Sequence, residues 1–407
     1  MSKTCVVVGA SHAAAQFVTS LRQEGWEGGI RVIGEEPVIP YHRPPLSKDF
    51  LAGKKTLDEI TIRPREAYEQ AQVEFLLGTR VKAVDPASKK LTLGDGATLD
   101  YNKLCLATGS RVRRVDLPGA GLDGICYLRN LHDAEQIRKH IRPGGGAVIV
   151  GGGYIGLEVA AVLNQLGMHV TVLEMMDRVM QRVTAPEVSE FYTRVHAEEG
   201  VDIRCGIRVS GFEGNAQVQQ VLCDDGSRYD ADLVVIGVGI LPNIELAAEA
   251  GLKTDNGIVV DACARSNDPD IVAAGDCTFH YNPVYDRMLR LESVQNATDQ
   301  ARVAAAAVCG RETKYLALPW FWSDQYDLKL QIAGLSQGYE ETVVRGDRQG
   351  SRSFAVFYLR QGRVIAVDAV NRAAEFMMGK RLITERIEVD KKVLADETVH
   401  MRELLKS

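Results

Sequence analysis

The chain has 407 residues, 45% of them apolar and 25% charged, with a formal net charge of −6. That length exceeds one ordinary core and suits two or three domains. The composition is that of a soluble globular protein, and the negative balance gives no general affinity for nucleic acid. The longest apolar candidate for a membrane span, 147–166, is broken by glycines and Glu158, so no membrane helix is expected.

In chain order, the first apolar run is Val6-Val7-Val8-Gly9, followed by a helical pattern and a second apolar run closing at Glu35. Its glycine turn reads Gly9-Ala-Ser11-His-Ala-Ala14. Alanine is allowed at the third place of a dinucleotide fingerprint, whereas serine at the second is a departure. This run starts at Cys5, which leaves no room for a signal peptide, and a cytoplasmic location is the expectation. An Asp95-Gly96 hairpin then leads to Leu104-Cys-Leu-Ala-Thr-Gly109.

The same design recurs further on. Val148-Ile149-Val150 runs into Gly151-Gly-Gly153-Tyr154-Ile155-Gly156, and a helix is expected over 157–166. Its glycines permit a tight turn, backbone approach to a pyrophosphate and close helix–strand packing, with the phosphates at the helix N-terminus. Glu174 ends the next strand, near the offset of about 20 residues expected for the acid that binds a ribose 2′-hydroxyl. A carboxylate there repels a 2′-phosphate, and Met175, Met176 and Asp177 offer no arginine to hold one, which favours NADH over NADPH. Asp225-Gly226 precedes the second echo, 233–239. Strands alternating with helices in two copies indicate an α/β protein with two Rossmann-type, parallel-sheet domains.

Downstream, Asp270-Ile-Val-Ala-Ala-Gly275-Asp276 places a carboxylate at a strand's carboxyl end, where ligands lie in open α/β sheets. From Leu318 the pattern changes to Trp320-Phe321-Trp322, alternating strands over 354–359 and 364–370, and a charged helical tail, read as a C-terminal α+β domain. The eight cysteines include no C-x-x-C pair, so no redox disulfide is expected. No metal site is expected either. His12, His42, His132, His140, His169 and His196 lack ligand spacing and read as solvent-facing or helix-packing.

Several segments are far more specific than any glycine pattern. They are Arg43-Pro-Pro-Leu-Ser-Lys48, Leu106-Ala-Thr-Gly109, Val183-Thr-Ala-Pro186, Gly275-Asp276-Cys277, Glu292-Ser-Val-Gln-Asn296 and Pro319-Trp-Phe-Trp-Ser-Asp-Gln325. With Gly151 to Glu158 they make the chain resemble, over nearly its whole length, the FAD-dependent NADH:ferredoxin reductases of bacterial oxygenase systems. The resemblance implies a glutathione-reductase-like fold: a discontinuous FAD domain over 1–110 and 241–316, an NAD domain over 111–240 and a ferredoxin-facing domain over 317–407.

It also implies roles. Gly9, Ser11, His12, Ala13 and Glu35 would contact FAD, joined by Val81, Ala107, Thr108, Gly109 and Arg129, and by Gly275, Asp276, Ser293 and Val294. Lys48 would lie near the flavin N5, Glu158 would be its carboxylate partner, and Tyr154 would stack on the flavin until nicotinamide displaces it. Gly151, Gly153, Ile155, Gly156, Glu174, Arg182, Gly237 and Gly239 would hold NAD, and Trp320 or Trp322 would face the flavin on the ferredoxin side.

The implied activity is hydride transfer from NADH to FAD, then single-electron delivery to an acidic 2Fe–2S ferredoxin feeding a haem-thiolate monooxygenase or Rieske dioxygenase. Lys380, Arg381, Arg386, Lys391 and Lys392, with Arg63 and Arg302 by resemblance, are candidate docking cations. A monomer or weak homodimer is expected. An NADH oxidase, a disulfide reductase or an NADH-binding signalling flavoprotein are the alternatives on this fold, the missing cysteine pair counting against the second.

Overall fold

A computed structural model describes residues 3–403. It separates into two compact units, one formed by 1–42, 57–111 and 240–319, the other by 43–56, 112–239 and 320–407. The segment 43–56, assigned to the first domain from sequence, groups with the second unit. There the short helix Pro44–Ser47 packs on the helices Leu131–Lys139 and Tyr154–Gln165.

The first unit is built on a five-stranded parallel sheet in the spatial order Ile271–Ala273, Lys103–Leu106, Thr4–Val8, Gly29–Ile33, Val73–Leu76. These runs are largely apolar because both faces are covered, one by the helices His12–Gln23 and Val294–Val308, the other partly by Val81, Val84, Leu91 and Leu93 of a small antiparallel sheet. The helix His12–Gln23 packs against Val294–Val308, and each buries a run of alanines that lets the two approach closely. Val8 pairs with Ile33 and with Leu106, and Leu106 with Ala273. Four strands therefore end together, at the point where the strand order reverses.

A smaller sheet in this unit buries His280 at 2% exposure, edge-on to Tyr315. Neither ring nitrogen has a hydrogen-bond partner among the described residues, and burial lowers its pKa to about 4. The native state thus holds His280 neutral, while the unfolded chain takes up a proton below about pH 6.5. Stability should therefore fall by about 3 kcal/mol as pH drops from 6.5 through 4. His280→Phe keeps a ring there, and its urea midpoint should lose its advantage over wild type as pH rises to 7. An advantage equal at both pH values would refute this.

The second unit repeats the design, in the order Asp202–Cys205, His169–Glu174, Gly146–Val150, Leu233–Ile236, Ile125–Tyr127, again all parallel. Its helix Tyr154–Gln165 is apolar almost throughout and buried along most of its length. It starts at Tyr154, three residues before the expected 157, because the Leu157 N–H bonds to the Gly153 carbonyl and carries Gly156 inside the first turn. The same unit carries a five-stranded antiparallel sheet, Trp320–Gln325, Leu328–Gly334, Arg363–Val370, Ser353–Arg360 and Glu341–Asp347, on which the helix Ala373–Thr384 packs. The charged tail expected to be helical contains that helix and a shorter one, Lys391–Ala395.

Candidate active site

In the first unit, Gly9, Glu35, Ala107, Thr108, Gly109, Gly275 and Asp276 all follow the aligned strand ends. Gly9 has φ +108, and a Cβ on it would stand 2.1 Å from the Ala107 carbonyl oxygen. Only glycine lets the chain pass there. Ser11, the departure in the motif, has φ −132, an extended conformation that serine adopts without strain. Its side chain does not cap the helix, and no acid sits in the first turn. A helix start without a side-chain cap or a first-turn acid suits an anion. His12 and Ala13 open the helix, both buried, with the His12 ring 5.4 Å from that of His42.

At the same edge the Asp276 carboxylate accepts from Ser110 Oγ at 2.9 Å, and Thr108 is locked to Asn243 by reciprocal hydrogen bonds. Ser293 caps the helix that opens at Val294, its hydroxyl accepting from the Asn296 N–H. Glu35 is exposed and pairs with Arg80 at 3.3 Å. Val81 is buried with Leu91 and Leu93, so its side chain serves packing.

The second unit holds the matching cradle. Gly151 has φ +111, and a Cβ on Gly156 would come within 2.1 Å of the Gly151 carbonyl oxygen. Gly153, the helix N-cap, faces open space, and again no acid occupies the first turn. By contrast, the helix Leu131–Lys139 is closed by its own Asn130/Asp133 capping box. Glu174 accepts from the Gly152 N–H at 2.7 Å and the Met176 N–H at 2.8 Å, which fixes its carboxylate against the loop. Gly237 donates to Val150 at the neighbouring strand end, and Gly239 follows it. Ile155 stands 45% exposed at the helix start. Arg182 lines a cleft with Arg178, Gln181 and 336–339.

One turn into that helix, Glu158 is 1% exposed. Burying a carboxylate is costly unless it is paired and hydrogen-bonded. Here Lys48 Nζ lies 2.6 Å from Oε2, Ser47 Oγ donates to the same oxygen at 2.5 Å, and Ser323 Oγ donates to Oε1 at 2.6 Å. Lys48 and Ser47 are delivered by the helix Pro44–Ser47, whose prolines preset the turn, and Arg43 anchors its start by donating to the Arg129 carbonyl at 2.6 Å.

Ser323 comes from the strand Trp320–Gln325. Alternation puts Phe321, Ser323 and Gln325 on one face, and Trp320 and Trp322 on the other. Phe321 accordingly meets Tyr154 at 4.9 Å between ring centroids, while Trp320 lies 5.6 Å from Trp322 and 5.9 Å from Phe376, with the Lys380 ammonium 5.5 Å above it. Burial pushes the Tyr154 phenol well above its ordinary pKa, so its proton stays on.

The sequence pattern of the pyridine nucleotide-disulphide oxidoreductases matches residues 3–301, and that of the reductase C-terminal domain matches 320–405. The chain belongs to the pyridine nucleotide-disulphide oxidoreductase family. Within that family it is 47% identical over 406 residues to putidaredoxin reductase of Pseudomonas putida, covering 98% of this chain and 96% of the relative. It is 43% identical to the ferredoxin reductase subunit of a 5,5′-dehydrodivanillate O-demethylase from a Sphingobium species, covering 98% of both chains. Among solved structures it superposes on the reductase in a covalent putidaredoxin reductase–putidaredoxin complex with TM-score 0.96 and 46% identity, covering 99% of this chain and 98% of the other. The chain is accordingly an NADH-dependent flavoprotein oxidoreductase with FAD and NAD(H) as cofactors.

The residues present fit two dinucleotides. Each nucleotide sheet ends in a glycine turn that a Cβ would block, followed by a helix whose N-cap residue makes no side-chain capping bond and whose first turn carries no acid. All eight cysteines are free, and burial pushes the Cys126 thiol up to about 11 and Cys105 well above the ordinary value, which suppresses thiolate chemistry there. Among the described residues no helix is long and apolar enough to cross a membrane. Sequence reasoning quoted Ser47, Ser323 and Gln325 inside motifs without giving them a task. It set His196 aside, although His196 is fully buried.

Proposed function

We propose that this chain is an NADH:ferredoxin reductase of an oxygenase system, drawing a hydride from NADH and delivering electrons singly to a 2Fe–2S ferredoxin that serves a haem-thiolate monooxygenase or a Rieske dioxygenase. The observation that carries the reading is one helix, Tyr154–Gln165, that opens on a phosphate cradle and one turn later holds the Glu158–Lys48 pair. Bound flavin accepts two electrons together and releases them one at a time; the side chains bind, orient and hold charge around that chemistry. The relatives' names support the acceptor assignment. We place the protein in the cytoplasm, as a monomer or weak homodimer, with 111–240 as the NAD domain and 317–407 facing the partner.

In this reading Gly9, Ser11, His12 and Ala13 hold the FAD pyrophosphate by helix N–H groups, with Asp276 at the neighbouring strand end. Gly151, Gly153, Ile155 and Gly156 do the same for NAD, with Gly237, Gly239 and Arg182 around them. Glu174 accepts from the adenosine ribose hydroxyls and repels a 2′-phosphate. Glu174→Arg should therefore raise the ratio of kcat/KM for NADPH over NADH by about 100-fold or more, since it removes a repulsion and adds a charge-assisted contact. Steady-state assays with both nucleotides measure this, and an unchanged ratio removes Glu174 from the role.

Lys48 supplies positive charge where the reduced cofactor gains electrons, and Glu158 keeps that ammonium pointed. Lys48→Met removes the charge at similar volume and strands a buried carboxylate. Flavin reduction by NADH in anaerobic stopped flow should slow by roughly 10–100-fold. A wild-type rate would discard the role.

An acidic ferredoxin needs cations on the docking face. Arg381 is already paired with Glu385, Lys391 with Glu341 and Arg302 with Asp299. Lys380, held over Trp320 and Phe376, is the candidate that combines a cation with an aromatic surface.

The function is tested by purifying the protein, recording its visible spectrum, and titrating it with NADH and 2Fe–2S ferredoxins while following cytochrome c reduction. A colourless protein with no extractable flavin, or NADH turnover that no ferredoxin accelerates, would overturn it.

A further inference from the structure

Behind Glu158 runs a row of buried polar side chains that the chemistry above leaves without a task. Ser323 and Gln325 come from the strand Trp320–Gln325, and His196 from the last turn of the helix Pro186–Glu198; they are 0%, 2% and 0% exposed. Outward from Glu158, Ser323 Oγ lies 2.6 Å from Oε1, Gln325 Nε2 3.2 Å from Ser323 Oγ, His196 Nε2 2.8 Å from Gln325 Oε1, and Tyr326 OH 3.4 Å from His196 Nδ1.

The donor at each step follows from what its neighbour can do. A carboxylate paired with an ammonium only accepts, so the Ser323 hydroxyl donates to it. That hydroxyl has spent its one proton and must accept from Gln325, which turns the amide nitrogen toward Ser323 and the amide oxygen toward His196. The imidazole must then carry its proton on Nε2, leaving Nδ1 to accept from Tyr326. Burial lowers the proton affinity of His196, in keeping with a neutral ring. The far end is fixed too: Tyr326 sits at φ +55, rare for a residue with a side chain, and its ring stands edge-on to the imidazole at 5.1 Å.

We propose that Ser323, Gln325 and His196 are positioning residues for the Lys48–Glu158 pair. All three donate in one direction, toward the carboxylate, and aligned hydrogen bonds of this kind polarise one another. The row fixes Oε1 of Glu158 and keeps its Oε2 turned to Lys48, so the ammonium keeps one orientation. This rests on the reading that Lys48 and Glu158 act on the flavin.

The test uses holoenzyme and two independent readouts. Ring-nitrogen NMR of histidine-labelled protein near neutral pH should show His196 as the neutral Nε2–H tautomer. The Nδ1–H tautomer or an imidazolium would overturn the donor order and the proposal with it. In anaerobic stopped flow, Ser323→Ala should slow flavin reduction by about tenfold, the scale of one hydrogen bond to a charged group, with NADH affinity changed by less than about twofold. Ser323→Thr should recover most of the rate. In a Glu158→Gln background, Ser323→Ala should add nothing further. If Glu158→Gln is slow while Ser323→Ala is as fast as wild type, or if the Ser323→Ala effect persists in full beside Glu158→Gln, this proposal falls and the function stands. A wild-type rate for Glu158→Gln would remove the role of the pair itself, and the proposal along with it.

Discussion

Gly156→Val should give a yellow protein that NADH cannot reduce. A Cβ at residue 156 would stand 2.1 Å from the Gly151 carbonyl oxygen and 3.3 Å from Ile149, so the loop must move away from the helix. Overpacking of this kind costs typically 1–3 kcal/mol, here at the upper end of about 3 because the obstacle is main chain. The larger loss is functional. Displacing the loop turns two or three N–H groups from the pyrophosphate, and hydrogen bonds to charged groups contribute about 1.5–3 kcal/mol each. NADH affinity should fall at least ~100-fold. Gly9→Val makes the complementary case: its Cβ would meet the Ala107 carbonyl oxygen at 2.1 Å, in the first unit, and that variant should lose flavin during purification. The spectrum at rest, then after NADH and after dithionite, separates the two. Dithionite should bleach Gly156→Val while NADH leaves it oxidised. A Gly156→Val protein reduced by NADH at the wild-type KM would show that the cradle is not where the nucleotide binds.

Both cradles are legible in the sequence because everything that makes them is local. A strand, a glycine with positive φ and a small-residue helix fall within one short stretch, 4–23 in the first unit and 146–165 in the second, and the acid ending the next strand lies about 20 residues beyond the glycine turn. The helix start over 154–156 is hidden because a glycine at 156 looks like punctuation; the packing role of that glycine is legible, but the carbonyl it must clear, that of Gly151, shows only in three dimensions. The grouping of 43–56 with the second unit was not legible for a related reason. It depends on where Pro44–Ser47 packs, on helices far away in the chain.

The Lys48–Glu158 pair bridges 110 positions, and no periodicity reports a contact of that range. Only the resemblance pointed to it. Its supports were more accessible than the sequence reading allowed. Alternation along Trp320–Gln325 by itself sets Phe321, Ser323 and Gln325 apart from Trp320 and Trp322, so a serine and a glutamine were due on an inward face. Likewise Val188, Phe191, Tyr192, Val195 and His196 repeat at helical spacing, which marks the buried stripe of their helix. His196 lies on that stripe. A histidine there needs partners, and those partners lead to the active-site carboxylate.

The second large effect concerns stability. Asp368, on the strand Arg363–Val370, is fully buried; Tyr358 donates to its Oδ2, and its Oδ1 has no hydrogen-bond partner among the described residues. Tyr358 is itself held by the Ala185 N–H at 2.9 Å. Burial pushes the Asp368 carboxyl from 3.8 up to about 7. Folding therefore favours the protonated acid, while the unfolded chain releases that proton above about pH 4. Stability is lost as pH rises from about 4 to about 7, by about 4 kcal/mol in all. Asp368→Asn removes the titration at nearly equal volume but leaves amide hydrogens unpaired, at about 1–3 kcal/mol. Below pH 4 the variant should thus be the weaker protein and at pH 8 the stronger. The difference between the two proteins, read from urea unfolding followed by tryptophan fluorescence, should swing by about 4 kcal/mol across that range. Every other titrating group, His280 included, is common to both proteins and cancels from the difference. A gap independent of pH would mean that the Asp368 carboxyl titrates normally in the folded protein, and the apolar burial assigned to it would be wrong.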